Sequence, residues 1–301
     1  MPPELTDRPD PLAILSELGV PQPSRVVPVA GGWDTALWRV DSQGSRYALR
    51  VYRPEQAIVW RRESAALQAL SAAGLPVPRL HAALVARDRP SLLLAWCEGR
   101  TVLEEVRARP WLVWPLGVEM GRMHAWIHSV PVTAELAHGL PAWTPRAEDS
   151  DPQLERVLRA AAAGRRSVLH LDYHPLNLLS HGREITCVLD WANVAVGDPR
   201  ADLARTVTLL RLAPIPPGTP VLLNRAIRGI LELAWRRGYG ERRPTGSFAQ
   251  MDPFYVWAGR MMQRDLRPRL GRPGVWLKEA DLERIRRWTE RRTRATTTPT
   301  R

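Results

Sequence analysis

Lysine is almost missing from this 301-residue chain: Lys278 is the only one, against 42 arginines. A bias this strong reads as a coding-composition effect, so arginine stands wherever a cationic side chain is needed. Cysteine is nearly as scarce. Cys97 and Cys187 are the only two, too few for a disulfide framework or a cysteine-based zinc site. No apolar run approaches the roughly 20 residues that a membrane-crossing helix needs. Residues Met1 to Asp10 are polar and acidic, without the charged-then-apolar pattern of a secretory signal. Together these absences predict a cytoplasmic protein with no membrane partner. There is no internal repeat, no zinc-finger spacing and no aromatic-basic signature of an RNA-binding module.

What remains is the make-up of a folded globular protein, 45% apolar and 25% charged. The length suits one large domain or two lobes. The net charge of +12 is unevenly spread. Residues 203–301 carry 21 basic against 8 acidic side chains, whereas the first 202 carry 22 against 23. A basic last third suits an anionic partner. Without a nucleic-acid motif it is read as a set of solvated helix faces, and nucleic acid is not the expected partner.

Periodicity and turn residues predict an α+β layout. Asp10-Pro11 opens a helix that Gly19 closes. Strands over Arg25–Val29, Thr35–Val40 and Arg46–Tyr52 are separated by turns at 30–34, which hold Gly31-Gly32, and at Asp41–Gly44. A helix follows over Pro54–Ala73, with Ala65, Leu67, Ala69, Leu70 and Ala73 as candidate buried positions. Further strands run over Arg79–Ala86 and Ser91–Trp96. From about residue 100 helices dominate, over Trp111–Ser129, Pro152–Ala163, 200–212, 219–238, 251–267 and 278–294. The Thr-rich stretch Ala295–Arg301 reads as a disordered tail.

Chemistry-bearing residues concentrate between Val168 and Ala204. Two short apolar runs, Val168–Leu169 and Cys187–Leu189, each end in polar side chains. His170, Asp172, His174 and Asn177 follow the first; Asp190, Asp198 and Asp202 follow the second. Strands that deliver carboxylates and an amide to a turn suit a magnesium–phosphate site, because Mg²⁺ prefers hard oxygen ligands. Upstream, Gly31-Gly32 at a hairpin tip lets backbone N–H groups approach a phosphate, although such hairpins are common without a ligand.

In this order the motifs resemble the aminoglycoside phosphotransferase family. They are the Gly31-Gly32 hairpin, the strand Ala48–Tyr52, Arg62-Glu63 with Leu67, Leu70 and the Gly74–Pro78 run, and Leu92–Leu94 leading to Glu98-Gly99. Then come His170-x-Asp172-x₄-Asn177, Asp190-Trp191, Gly197-Asp198-Pro199 and Asp202-Leu203-Ala204. The last set, with its spacing, is the specific part. The resemblance implies a bilobal protein-kinase-like α+β fold. A small N-terminal lobe of antiparallel sheet plus helix would span 1–96, with a hinge at 95–99. A larger, mainly helical C-terminal lobe would span 100–294. The implied cofactors are ATP, with GTP as the alternative, and Mg²⁺. The implied reaction is phosphoryl transfer to a hydroxyl of a small molecule.

The resemblance also assigns roles. Asp172 becomes the catalytic base, with Asn177 and Asp190 as metal ligands. Gly31, Gly32, Arg50, Glu63 and the Ala95-Trp96-Cys97 segment fall on the nucleotide, with Val40, Ala48 and Leu178–Leu179 as apolar walls. His170, Asp198 and Asp202 support the loop. His174 is an acceptor contact or a brace; Asp252 and Tyr255, where a carboxylate stands beside aromatic residues, are read from composition as further acceptor contacts. Cys97 is read as packing.

Two features depart from the family pattern. The third strand carries Arg50 where a lysine is usual, opposite Glu63. Arg50 either does the lysine's work or leaves a weak enzyme, an ATP-binding pseudokinase-like regulator. The C-terminal third is too basic to suit a polycationic aminoglycoside, which needs several carboxylates; Asp252, Asp265 and Glu232 are the ones available. The expected acceptor is a sugar, amino alcohol or similar metabolite, with an aminoglycoside as the alternative. Asp190 and Gly197 are too close to hold the activation loop of a protein kinase. The sequence gives no oligomeric state.

Overall fold

Strand alternation over residues 25–95 builds a five-stranded antiparallel sheet, which carries Arg50 on the face toward Glu63 and Asp190. The computed structural model describes residues 9–29, 35–143, 151–162, 164–215, 218, 220–243, 248–272 and 275–297. Helix α1 (Pro11–Glu17) starts as expected, with the Asp10 side chain accepting from Leu12 N at 2.9 Å and Pro11 in the first turn. Strands β1 (Arg25–Pro28), β2 (Ala36–Ser42) and β3 (Ser45–Val51) follow, then α2 (Ala57–Ala72), β4 (Leu80–Ala86) and β5 (Arg89–Ala95). The sheet order is β1-β2-β3-β5-β4.

The two faces of the sheet bury different things. On one, Val40, Leu49, Val51 and Leu93 pack against Ile14, Leu15 and Leu18 of α1. On the other, Ala48, Tyr52, Leu92 and Leu94 join Ala66, Leu67 and Leu70 of α2 in the main core. Each fully buried leucine here contributes about 1.5–3 kcal/mol. Val40, expected as a wall of the nucleotide site, therefore lies on the wrong face; Ala48 lies on the right one. On α2, Ala73 is exposed and Ala66 is buried, because the inward stripe is Glu63, Ala66, Leu67 and Leu70. A glutamate at the head of that stripe hides it from a purely apolar count.

Past β5 the chain crosses to the helical part. Gly99 adopts φ +127, and a Cβ there would lie 2.9 Å from the Ser180 carbonyl oxygen. β6 (Arg100–Thr101) leads into α3 (Val102–Ala108), then α4 (Val113–Ser129), α5 (Ala134–Gly139) and α6 (Pro152–Ala162). Helices α3 and α5 are absent from the sequence reading. The signal for α3 was present: Thr101 and Glu104 form a reciprocal capping box, with bonds of 3.2 and 2.9 Å.

The short strands β7 (Ser167–Leu169), β8 (Leu178–His181), β9 (Glu184–Val188) and β10 (Ala195–Gly197) precede α7 (Pro199–Leu212), α8 (Val221–Arg242), α9 (Asp252–Leu266) and α10 (Glu279–Thr297). Helix α10 runs into the stretch expected as a disordered tail; residues 298–301 lie outside the described ones. Helices α4 and α8 lie side by side in the same direction and touch backbone to backbone. A Cβ on Gly121 would sit 2.0 Å from the Trp235 oxygen, and one on Gly238 1.9 Å from the Val118 oxygen. Among the described residues, no helix is long and apolar enough to cross a membrane.

Candidate active site

The loop between β7 and β8 is built from below by a buried carboxylate. Asp202, near the start of α7, is fully buried. Its Oδ2 accepts from the His170 backbone N at 2.6 Å and its Oδ1 from Leu171 N at 2.8 Å. His128 Nε2 and His124 Nε2 each lie 3.2 Å from the same Oδ2, and His128 Nδ1 lies 2.8 Å from the Tyr239 hydroxyl. With both backbone N–H groups and His128 hydrogen-bonded to Asp202 and His124 packed 3.2 Å from it, this trio is a buried support for the loop. Burial would raise the Asp202 carboxyl, yet His124 and His128 hold it well below the usual carboxylate range.

That support matters because Leu171 has φ +62, a left-handed conformation costly for a branched side chain. Asp202 fixes its N–H and Arg205 Nε donates to its carbonyl at 3.2 Å. The strained residue presents Asp172. The Asp172 backbone N donates to His170 Nδ1 at 3.2 Å, while His170 Nε2 reaches the Leu189 carbonyl at 2.9 Å. These two bonds require one tautomer, with the proton on Nε2. His170 is fully buried, and burial keeps its pKa below the ordinary value.

Asp172 itself is partly exposed, with His174 Nε2 3.6 Å from its Oδ2. Burial pushes its carboxyl up, but His174, Arg205 and His170 outweigh that and leave it well below the usual range. Asn177 Nδ2 donates to the Asp172 carbonyl at 3.0 Å and to Oδ2 at 3.2 Å. The Asn177 carbonyl accepts from Leu189 N at 2.8 Å, which brings Asp190 alongside. Asp190 has φ +61 and a side chain 41% exposed. Asp198 caps α7 through Arg200 N at 2.9 Å and chelates the buried Arg200 guanidinium.

From the sheet, Arg50 reaches all the way across. Its Nη2 donates to Asp190 Oδ1 at 3.1 Å, its Nη1 to Glu63 Oε1 at 2.6 Å, and its Nε to Thr35 Oγ1 at 3.2 Å. The Tyr52 hydroxyl donates to the other Glu63 oxygen at 2.5 Å. Burial would favour the neutral guanidine, but Glu63, Tyr52 and Asp190 over-compensate and secure the charge on Arg50. Ala95, Trp96 and Cys97 line the crossing between sheet and helices. Trp96 N donates to the Arg46 carbonyl at 3.0 Å. Cys97 lies against Cys187 of β9, the two Sγ atoms 2.6 Å apart.

Not every expected residue arrives. Gly31 and Gly32 lie outside the described residues. Asp252 and Tyr255 are not at the loop. They sit at the start of α9, whereas Asp265 at its other end touches Arg205 beside the loop, at 3.4 Å. Thirteen helical residues separate the ends by about 20 Å. Asp252 is ion-paired with Arg292 at 2.9 Å, and the buried Tyr255 accepts from Arg236 at 3.1 Å. An aspartate beside aromatic residues described a packed helix start. The sequence reading in turn missed His124, His128, Tyr52 and Arg205. His124 and His128 stand at i, i+4 on α4, a spacing that puts both on one face.

The buried imidazoles make stability pH-dependent. Burial, reinforced by His124, lowers the His128 pKa from 6.5 to about 4. A depressed folded-state pKa gives stability that is present above 6.5 and lost as pH falls through 4. Urea unfolding is expected to show a loss on the order of 3 kcal/mol between those values. His128→Gln is expected to flatten that slope; an unchanged slope would show that His128 does not carry it.

A carboxylate loop beneath a five-stranded sheet, joined to it by a buried Arg–Glu pair, defines a phosphotransferase with a bilobal, protein-kinase-like fold. The profile of the phosphotransferase enzyme family (APH) matches residues 25–244, and the chain belongs to that family. It is an enzyme that transfers phosphoryl groups to hydroxyls of small molecules. Solved structures agree in fold. A candidate aminoglycoside phosphotransferase from Ralstonia eutropha JMP134 is 19% identical, with TM-score 0.68 over 92% of this chain and 93% of that one. A thermostable mutant of aminoglycoside phosphotransferase APH(4)-Ia, in ternary complex with AMP-PNP and hygromycin B, is 14% identical, with TM-score 0.65 over 95% and 98%. Macrolide 2'-phosphotransferase MphH from Brachybacterium faecium is 19% identical, with TM-score 0.56 over 96% and 98%. No curated protein sequence matches the chain.

Proposed function

We propose that the chain is a cytoplasmic, ATP- and Mg²⁺-dependent kinase for a small hydroxyl compound other than a polycationic aminoglycoside. Residues 1–96 would form the nucleotide lobe, 95–99 the hinge, and 100–294 the catalytic and acceptor lobe. The observation that carries this reading is one cluster: Asn177 Nδ2 donates to Asp172 Oδ2 at 3.2 Å, the Asn177 carbonyl accepts at 2.8 Å from Leu189 N next to Asp190, and Arg50 bridges Asp190 to Glu63.

The donor set fits magnesium. Asn177 spends its amide N–H on Asp172, which leaves its Oδ1 as a hard donor, and the Asp190 carboxylate would supply the second. Bound there, Mg²⁺ would neutralise phosphate charge. The ionised Asp172 accepts a hydrogen bond from the acceptor hydroxyl and fixes its direction of attack. Its neighbours keep it ionised, so it can take the hydroxyl's proton as the new P–O bond forms. Arg50 supplies the cation that a strand lysine supplies elsewhere, forked between Glu63 and the phosphate side.

Losing one charge-assisted contact costs about 1.5–3 kcal/mol. Arg50→Met is therefore expected to weaken nucleotide binding by about 10- to 100-fold, measured calorimetrically. An unchanged Kd would remove Arg50 from the nucleotide site.

The acceptor class follows from which carboxylates are already occupied. Glu232 is held by Arg211 at 2.6 and 2.7 Å and by Arg236 at 2.9 Å. Asp252 pairs with Arg292, and Asp265 with Arg205 and Arg264. Each of the three expected carboxylates is already paired with at least one arginine, which weakens its pull on an ammonium group. APH(4)-Ia is solved with hygromycin B and the B. faecium enzyme is named for macrolides, so one fold serves acceptors of very different charge. A phosphorylation screen over sugars, amino alcohols, macrolides and aminoglycosides tests the reading. Transfer to a neutral or singly charged hydroxyl compound is expected. Turnover only with kanamycin-like polycations would overturn the acceptor class. Mg-ATP binding without transfer to any acceptor or to water would make the chain a regulator.

A further inference from the structure

The two cysteines of the chain, 90 residues apart in sequence, meet where the sheet joins the helical part. Cys97 follows β5; Cys187 lies in β9, in register with Leu179 of β8. Their Sγ atoms are 2.6 Å apart, about half an ångström beyond a covalent S–S bond. The backbone on both sides is pinned. Trp96 N donates to the Arg46 carbonyl at 3.0 Å, and Val188 N to the Pro76 carbonyl at 2.7 Å.

The two sulfurs are not equivalent. Cys97 is half-buried, whereas Cys187 is only 2% exposed. The hydrogen bond with Cys187 lowers the Cys97 thiol pKa against the opposing effect of burial. The same bond and burial push the Cys187 thiol up. One partly exposed, more acidic sulfur beside one buried, less acidic sulfur is the arrangement of an attacking and a resolving cysteine.

We propose that Cys97 and Cys187 are a site of oxidative modification that a low-molecular-weight disulfide, RSSR, closes to an intramolecular disulfide. The Cys97 thiolate attacks one sulfur of RSSR, breaks its S–S bond, and releases RS⁻ to leave a mixed disulfide on Cys97. Cys187 then attacks the Cys97 sulfur. Its proton passes to the second departing RS⁻ as the Cys97–Cys187 bond forms. The reagent leaves as two reduced thiols, and the protein loses two electrons and two protons. The cross-link ties the segment between the lobes to β9, which ends two residues before Asp190.

The test reads thiols and is independent of the phosphotransferase reading. Reduced, desalted full-length protein is incubated with glutathione disulfide under native conditions, then analysed by thiol titration and by peptide mass spectrometry without reduction. Free thiols are expected to fall from two to none, with one linked peptide pair containing Cys97 and Cys187, reversed by dithiothreitol. Cys187→Ser is expected to trap one glutathione on Cys97, and Cys97→Ser to leave Cys187 unmodified. A titre that stays at two would overturn the proposal. So would a wild-type chain that keeps glutathione on Cys97 with Cys187 free, or a cross-link between chains.

Discussion

Asp172→Asn is expected to lower turnover by about a thousandfold while nucleotide affinity stays within about threefold, a loss in the range of general-base removal. The substitution is nearly isosteric, so the loop it sits on should persist. Asn177 still has an oxygen to donate to, and the Asp172 backbone N–H still meets His170 Nδ1, a bond of 3.2 Å. What disappears is the negative charge that His174, Arg205 and His170 secure against burial. An amide oxygen can still accept the acceptor's hydrogen bond, but it cannot take the proton as the P–O bond completes. Rapid-quench turnover beside calorimetric nucleotide titration separates the two effects. Retention of more than a tenth of wild-type turnover would falsify the assignment of Asp172 as base.

Asp202→Asn is expected to destabilise the protein by about 3–5 kcal/mol, the usual consequence of breaking a buried charged network by removing one partner. The amide nitrogen must replace one carboxylate oxygen. Turned toward Oδ2, it sets a donor against the His170 N–H and both histidines; turned toward Oδ1, it opposes the Leu171 N–H. Either way a buried N–H loses its acceptor. Leu171 then keeps its left-handed backbone with one fewer restraint, and Asp172 shifts with it. Chemical denaturation should therefore show a lower midpoint at unchanged slope. Activity should fall under conditions where the variant is still folded. A midpoint within error of wild type would mean that Arg205 alone holds the loop.

Much of the site was legible because its residues are local. His170, Asp172 and Asn177 fall within eight positions, and Asp190 follows one hairpin later, so their spacing groups them, and the family resemblance supplies their expected roles. The sheet was legible because its strands alternate and their turns are marked by glycine and aspartate. Contacts across long stretches of chain were not. Arg50 reaches Asp190 from 140 residues away, and nothing in either local sequence announces it. His124 and His128 lie on a helix face rich in apolar side chains, where a histidine reads as core; only the fold reveals that they flank Asp202. The placement of Asp252 and Tyr255, at the end of α9 away from the loop, was hidden for a related reason. Composition shows that a helix carries aromatics and a carboxylate, but not which of its ends meets the loop.

The guanidinium at position 50 also decides which reagents will see this enzyme. Acylating nucleotide probes and succinimidyl esters mark a kinase by capturing a side-chain amine. In this chain Lys278 is the only side chain offering one. It stands exposed just before α10, where its backbone N–H is bonded to Asp281 at 3.1 Å. Amine labelling of the folded protein will therefore report on that helix start and stay silent about nucleotide occupancy. A lysine-specific protease will leave the chain in two pieces, with the whole catalytic loop on the larger one.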